Sequence, residues 1–524
     1  MSMQFSTVRE VAEKWKVSER RVTFLCRSGK IPGAVKQSKA WLIPQDTVLP
    51  PDGRTRQPAP QEGPVSGGER KGHYFGTDGF RGKAGEDLTA YHAFQIGRFI
   101  GWYYTSQKQG EEKARIVIGK DTRRSSYMYE NALSAGITSS GADAYLLHVT
   151  TTPCVSYITR TEHFDCGVMI SASHNPYTDN GIKLMNRDGE KMDDEVQEKI
   201  ENYIDGIGEE IPYAQGARIG SAVDFYSGRN RYIGYLTGIP TCNFENCRVA
   251  LDCANGAGWM IARSVFDALG AKTNVISASP DGVNINVNCG STHIGELQRF
   301  VRANKLDCGF AFDGDGDRCI AVDEMGNEVN GDKIIYICGK YFRDKGQLPT
   351  NKVVTTVMSN FGLYKALDRI GIGYEKTAVG DRFVYENMKA NNHLIGGEQS
   401  GHIIFRRFAR TGDGLVTALV LMQILMETHL PLSVLAAECK MYPQVLKNLI
   451  VDDKDATVND PAVQKAAGDC TAELGTSGRV LLRKSGTEPV LRVMSEAETF
   501  EKCEEMVNRL IEAIRSSGHL VRIR

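Results

Sequence analysis

The run Ile170-Ser171-Ala172-Ser173-His174-Asn175-Pro176 sets a hydroxyl beside an imidazole. It follows a short apolar stretch, Gly167-Val168-Met169-Ile170, and precedes the turn-rich Tyr177-Thr178-Asp179-Asn180-Gly181. A strand ending in a polar loop presents Ser173 where a reactant can reach it. About 140 residues on stands Asp313-Gly314-Asp315-Gly316-Asp317-Arg318, three carboxylates spaced by glycines. Alternate residues of an extended loop point the same way, so Asp313, Asp315 and Asp317 can converge on one cation. Oxygen ligands without nearby His or Cys favour Mg²⁺. A serine nucleophile beside such a metal loop points to phosphoryl transfer through a phosphoserine.

Each piece also has a quieter reading. Ser173 alone could cap a helix or close a turn, and His174 could simply pack. An EF-hand is excluded although Glu324 falls at the twelfth position, because Arg318 stands where that loop needs glycine and Cys319-Ile320-Ala321-Val322 reads as a strand. Lys183, shortly after Ser173, can neutralise charge that develops during transfer, as can an arginine. Arg81 lies on the Gly-rich run Phe75 to Gly82, also suited to an anion. Gly396-Gly397-Glu398-Gln399-Ser400-Gly401-His402 joins a flexible backbone to a carboxylate, an amide, a hydroxyl and an imidazole, a set that suits sugar hydroxyls. Arg483-Lys484-Ser485-Gly486-Thr487-Glu488-Pro489, with Arg492 just after, reads either as a phosphate cradle or as an ordinary turn. No P-loop, His-Glu-x-x-His or Gly-x-Ser-x-Gly occurs, which argues against an ATPase, a zincin or an α/β hydrolase.

The elements that must hold these loops alternate. Strands are expected at 114–118, 144–147, 248–251 and 352–357, and helices at 127–139, 259–269 and 414–428, an α/β pattern repeated several times. The tail, with strands at 480–482 and 491–494 and a helix over 500–516, reads as a separate α+β domain. No internal repeat of residue identity is present. A chain of 524 residues has room for roughly three to five domains. A net charge of −1 gives no whole-chain reason to expect nucleic acid or a membrane surface. No apolar run reaches the ~20 residues of a membrane helix, and there is no signal-peptide core. The 13 cysteines are scattered, without a Cys-x-x-Cys pair, and fit a reduced, cytoplasmic protein.

Residues 50–72, rich in proline and glycine, read as a flexible linker. Before it, residues 1–49 read as two short helices and a hairpin. Thr7 with Glu10 fits a capping box, Ser18 can cap a second helix, Gly29 can end it, and 40–43 reads as a strand. This order resembles the winged helix-turn-helix of excisionase and MerR-type proteins. The module carries nine Lys and Arg against four Asp and Glu. Arg20, Arg21, Thr23 and Arg27 would suit phosphate contacts in a groove, so DNA is one expected partner and protein another.

From about His73 onward, the loops in this order resemble the α-D-phosphohexomutase family. Asn288-Cys289-Gly290-Ser291-Thr292-His293, Val379-Gly380-Asp381-Arg382 and Thr411-Gly412-Asp413-Gly414 extend the likeness. They favour its bacterial amino-sugar branch over those acting on glucose or mannose phosphates. The resemblance implies an α/β architecture of four domains around a cleft, the first three sharing one α/β topology. These are a phosphoserine domain over 73–225, a metal-binding domain over 226–325, a sugar-binding domain over 326–438 and a C-terminal α+β phosphate-binding domain over 439–524. It implies Ser173 as the phosphoserine, with Mg²⁺ held by Asp313, Asp315, Asp317 and the seryl phosphate. Arg81, Lys183 and Arg318 would surround the transferring group, with Lys183 and His402 as proton-transfer candidates. Gly380, Asp381, Glu398 and Ser400 would bind the sugar. Arg483, Ser485, Gly486, Thr487 and Arg492 would bind the second phosphate. The implied reaction interconverts glucosamine 6-phosphate and glucosamine 1-phosphate through a 1,6-bisphosphate, toward UDP-N-acetylglucosamine. Lys484 departs from the family, which usually has proline there.

Overall fold

The computed structural model describes residues 5–15, 17–27, 31–37, 40–45, 47, 74–208, 210–484 and 490–523. The expected linker, the helix end at Gly29 and the loop residues Ser485, Gly486 and Thr487 lie outside the described residues. The chain divides into two compact units, Met1–Lys71 and Gly72–Arg524.

In the first unit, β1 (Phe5–Thr7) leads into α1 (Val8–Trp15) and α2 (Glu19–Arg27), followed by β2 (Val35–Gln37) and β3 (Ala40–Pro44). The capping box forms. The Thr7 amide donates to Glu10 Oε2 (2.8 Å), and the Glu10 amide to Thr7 Oγ1 (3.4 Å). The strands pair antiparallel in the order β1-β3-β2 over Val11, Ala12, Val22, Leu25 and Ile43. Strand β1, only three residues long, is too short to show a periodicity in sequence.

The second unit repeats one theme three times. Its first sheet gathers β4 (Phe75–Gly76) and β5 (Gly79–Lys83), then, after α3 (Ala90–Thr105), β6 (Arg115–Lys120). Helix α4 (Arg124–Ser139), β7 (Asp143–Val149), α5 (Thr152–Thr161), β8 (Cys166–Ile170), β9 (Asp179–Met185), α6 (Asp194–Ile204) and β10 (Ala222–Asp224) complete that layer. After α7 (Tyr226–Thr237) come β11 (Arg248–Asp252), α8 (Ala262–Ala268), β12 (Lys272–Ile276), α9 (Gly295–Asn304), β13 (Cys308–Phe312), β14 (Cys319–Asp323) and β15 (Glu328–Val329). Then α10 (Gly331–Asp344), β16 (Lys352–Thr356), α11 (Phe361–Ile370), β17 (Gly373–Thr377), α12 (Asp381–Asn391), β18 (Ile395–Gly397) and β19 (Ile403–Phe405) follow.

The cores of these sheets run β7-β6-β8-β9, β12-β11-β13-β14 and β17-β16-β18-β19. In each, the first-formed strand pairs parallel with the next two, and the third turns back antiparallel into the fourth. Strands β8 and β13 are buried at every residue, as expected of strands covered on both faces. Helix α13 (Gly414–Thr428), apolar almost all round, fills the interior. The short α14 (Leu432–Ala436) leads to the last domain. There β20 (Gln444–Val451), α15 (Lys454–Asn459), α16 (Pro461–Leu474), β21 (Gly478–Lys484), β22 (Val490–Ala497), α17 (Phe500–Ser516) and β23 (Leu520–Ile523) form an antiparallel sheet, order β21-β22-β20-β23, packed against helices.

The expected helix over 259–269 is divided. Ala257–Met260 forms a 3₁₀ turn, and α8 starts only at Ala262. The Ala257 amide donates instead to the Gly314 carbonyl (2.8 Å), drawing this turn onto the acidic loop.

Asp332, in the first turn of α10, is fully buried. Its Oδ2 accepts from the Asn360 amide (2.6 Å), while Oδ1 has no partner among the described residues. Burial pushes this carboxyl up to about 7. A carboxyl whose folded pKa exceeds its unfolded one stabilises below the unfolded value and loses that contribution as pH rises through the folded one. Asp332→Asn should therefore gain on the unmodified protein by about 2 kcal/mol as pH is raised from about 5 to 8. Thermal unfolding of both proteins across that range checks this, and parallel pH profiles would contradict it.

Candidate functional site

The same loop of each repeated sheet, the turn between its third and fourth strands, carries the chemistry. Ser173 sits between β8 and β9, Asp313, Asp315 and Asp317 between β13 and β14, and Glu398 to His402 between β18 and β19. Backbone bonds tie the acidic loop and the strand after it to their neighbours. The Thr152 amide donates to the Asp315 carbonyl (2.9 Å), Cys319 to Gly401 (2.9 Å), and Gly414 to Gly316 (3.0 Å). A Cβ at Gly314 would stand 2.5 Å from the Ser173 carbonyl oxygen, so only glycine admits that approach.

Ser173 is buried and held at φ +52°, a left-handed conformation costly for a non-glycine residue. Its Oγ donates to Asp313 Oδ2 (2.5 Å) and lies 3.3 Å from His174 Nδ1. Burial, and then the charges of Arg318 and Arg81, push His174 down to about 4, so this ring stays neutral. Arg123, fully buried, fixes the loop from behind. It donates to the carbonyls of Ser173 (2.8 Å), Asn175 (2.8 Å), Asp179 (3.2 Å) and Pro176, and its Nε pairs with Asp121 (2.7 Å). Asn286 also donates to the Ser173 carbonyl (2.9 Å).

Asp313, Asp315 and Asp317 are all buried and offer oxygens within 4.8 Å of one another. Burial and the two neighbouring carboxylates hold Asp313 well above the usual carboxylate range. Burial acts the same way on Asp317, but Lys183, His402 and Arg318 outweigh it and hold that carboxyl well below the range. Lys183 donates to Asp315 Oδ2 (2.6 Å) and Asp317 Oδ2 (3.3 Å), and those carboxylates overcome burial to raise its pKa. Asp315 Oδ1 and Asp317 Oδ1 are buried without a hydrogen-bond partner among the described residues. Converging oxygens with unused lone pairs fit a hard divalent cation.

Around this centre the charges alternate. Arg81, opposite Gly181 on paired strands, lies 3.4 Å from Asp78. Lys191 donates to Asp78 (3.2 Å) and Asp381 (2.6 Å), tying the Arg81 loop to the start of α12. His402, buried, has Nδ1 3.6 Å from Asp317 and Nε2 3.4 Å from Asp381. Burial opposes charge on this ring, yet the two carboxylates lift it to about 9. The Gly412 amide lies 3.0 Å from Nε2, a contact that favours the neutral ring but is outweighed by the two carboxylates. Gly380, at φ +132°, donates its amide to Glu398 Oε1 (3.0 Å). Ser400 is exposed on the same turn as Glu398. A cavity of about 250 Å³, lined by Lys183, Lys191, Asp317 and Asp381, opens beside them.

Arg483 and Arg492 face one another across β21 and β22. Burial and Arg492 both disfavour charge on Arg483, while Glu398 favours it, so Arg483 lies within reach of the Glu398 loop's field. Nε of Arg81, Arg318 and Arg492 is in each case buried without a hydrogen-bond partner among the described residues, which suits anions. Lys484 pairs with Asp455 of α15, drawing its charge to that helix. The structure thus gathers Ser173, the three aspartates, Lys183, Arg81, Arg318 and His402. Sequence reasoning missed Arg123 and Lys191. Spacing carried no sign of either, because each acts on residues distant in sequence.

Four family models cover most of this unit. They are Phosphoglucomutase/phosphomannomutase alpha/beta/alpha domain I (residues 72–210), domain II (230–326), domain III (330–442) and the C-terminal domain (446–513). The phosphoglucosamine mutase of Lachnospira eligens is 59% identical over 450 residues, 86% of this chain and 100% of that protein. That of Bacillus subtilis is 48% identical over 445 residues, 85% and 99% of the two chains. Among solved structures, a phosphoglucomutase/phosphomannomutase family protein from Burkholderia thailandensis aligns at TM-score 0.70 and 21% identity, covering 84% of this chain and 97% of its own. The Aspergillus fumigatus N-acetylphosphoglucosamine mutase in complex with GlcNAc-6P and magnesium aligns at 0.61 and 18%, covering 86% and 96%.

Arg123→Ala would strip a buried carboxylate and several buried carbonyls of their donor. We expect a loss of about 3–5 kcal/mol in chemical denaturation, with Arg123→Lys recovering under half, because an ammonium cannot reproduce the guanidinium fork. A loss below about 1 kcal/mol would show that the loop does not lean on this residue.

Proposed function

The chain belongs to the phosphoglucomutase/phosphomannomutase family, and from that membership we propose that it interconverts glucosamine 6-phosphate and glucosamine 1-phosphate. The reading makes it an isomerase working by phosphoryl transfer, a phosphoglucosamine mutase like the relatives it matches over most of its length. The observation that carries it is the Ser173 hydroxyl set on Asp313 inside a buried triad of carboxylates.

In the proposed cycle Ser173 carries a phosphoryl group. A sugar hydroxyl attacks the phosphorus, the Oγ–P bond breaks, and a 1,6-bisphosphate forms. After the intermediate turns over, Oγ takes the other phosphoryl group and the vacated sugar oxygen gains a proton. Asp313, Asp315, Asp317 and the seryl phosphate would hold Mg²⁺, which would offset charge on the transferring group. Arg81 and Arg318, whose charges already press on His174, flank the reacting phosphorus. Each transfer moves a net proton from the attacking hydroxyl to the departing oxygen, and Lys183 and His402 are the groups proposed to relay it. Gly380, Asp381, Glu398 and Ser400 orient the sugar. Arg483, Ser485, Gly486, Thr487 and Arg492 anchor the phosphate that is not being transferred.

Turnover of glucosamine 6-phosphate with Mg²⁺ and a hexose 1,6-bisphosphate primer should fall at least about 10³-fold in Ser173→Ala. Activity confined to glucose or mannose phosphates would move the substrate assignment, and an active Ser173→Ala would overturn the nucleophile.

For the N-terminal unit, two adjacent short helices followed by a β hairpin support the proposal of a winged-helix module that contacts DNA. The full chain should then shift duplex DNA, with binding that falls steeply between about 50 and 200 mM salt. The absence of any shift at the low-salt end would leave a protein partner as the better reading.

A further inference from the structure

An open groove of about 620 Å³ lies outside the mutase centre, at the carboxyl ends of β6 and β7, where open α/β sheets commonly bind ligands. Its walls are unusual for an unused surface. Tyr127 is 50% exposed and receives the Lys120 ammonium 4.0 Å from its ring centre. Tyr226 is 51% exposed and stacks on His148 with ring centres 4.8 Å apart. Each ring has a partner against it while about half of its side chain stays exposed. Trp259 supplies a third, half-buried ring.

Two cations complete the lining. Arg124 and Arg229 pair with no carboxylate among the described residues, Arg229 touching only the Val149 carbonyl (3.4 Å) and Met260 Sδ (3.3 Å). Lys120, by contrast, is neutralised by buried Glu130 and belongs to the wall. The one acidic residue of the lining, Asp281, turns Oδ1 into its own loop, accepting from the Val283 (2.8 Å) and Asn284 (2.9 Å) amides. Half-exposed aromatic rings beside free guanidinium groups recognise a flat ring joined to an anion. The volume is in the range of small-molecule sites.

We propose that this groove binds a nucleoside phosphate, its base against the exposed rings and its phosphate on Arg124 and Arg229. The site adjoins the catalytic loop through four consecutive residues. Asp121 and Arg123 reach toward the Ser173 loop, while Thr122 and Arg124 line the groove. A ligand on Arg124 therefore acts one residue from the side chain that holds the Ser173 carbonyl.

Isothermal titration of the full chain, with Mg²⁺ and a saturating hexose 1,6-bisphosphate filling the cleft, tests this. Uridine and adenosine 5′-diphosphate should bind with a Kd on the order of 100 µM, and inorganic phosphate at least about tenfold more weakly. Arg124→Ala with Arg229→Ala should weaken nucleotide binding at least about tenfold while mutase turnover stays within about twofold. No nucleotide binding up to about 5 mM would overturn the proposal, as would affinity unchanged in the double variant. Binding seen only without the bisphosphate would equally overturn it, by placing the nucleotide in the catalytic cleft. These readouts do not depend on which sugar phosphate the mutase centre prefers.

Discussion

Burying three carboxylates within one small volume is the constraint that the large unit is built around. Unpaired, such charges cost several kcal/mol each in a protein interior. Here Lys183, His402 and Arg318 answer them directly, and unused oxygens on Asp315 and Asp317 leave room for a cation. The neutralising groups are themselves buried, so each needs its own counter-charge. The alternation spreads outward through Asp381, Lys191 and Asp78 to Arg81. A cleft wired in this way is set up for a doubly charged substrate before that substrate arrives.

The fold supplies the pieces by repetition. One four-strand pattern occurs three times, and the same hairpin turn of each copy carries Ser173, the three aspartates or Glu398 to His402. Backbone hydrogen bonds joining Thr152, Gly401 and Gly414 to the acidic loop and the strand after it, and a glycine at 314 small enough to meet the Ser173 carbonyl, bring the three copies to one point. Function thus comes from divergence within a loop, and position comes from a shared scaffold.

Much of this was legible in the residues. Ser173 at a strand end and the Asp-Gly-Asp-Gly-Asp loop stand out because they are local, contiguous and chemically loaded. Helices α13 and α17 match their expected limits, Gly414–Thr428 and Phe500–Ser516, α13 because its apolar run is nearly unbroken and α17 because its apolar periodicity runs its full length. The residues themselves show no repeat, because a shared topology needs no shared identities, and only the family resemblance pointed to three similar domains. Arg123 was missed because the carbonyls it holds lie some 50 residues away, and Lys191 because it bridges two domains. The split of the expected helix at 259–269 follows from a tertiary bond, Ala257 to Gly314, that local propensity cannot anticipate.

The order of the hairpins along the chain has a temporal meaning. During synthesis the segment bearing Ser173 emerges well before residues 313–317, and those before the arginines near the C-terminus. Domains generally fold as they appear, N-terminal first. A nascent chain with only its first sheet complete therefore holds Ser173 without the Asp313 carboxylate on which its hydroxyl rests. On the mechanism proposed above, phosphoryl transfer waits for the later domains to fold.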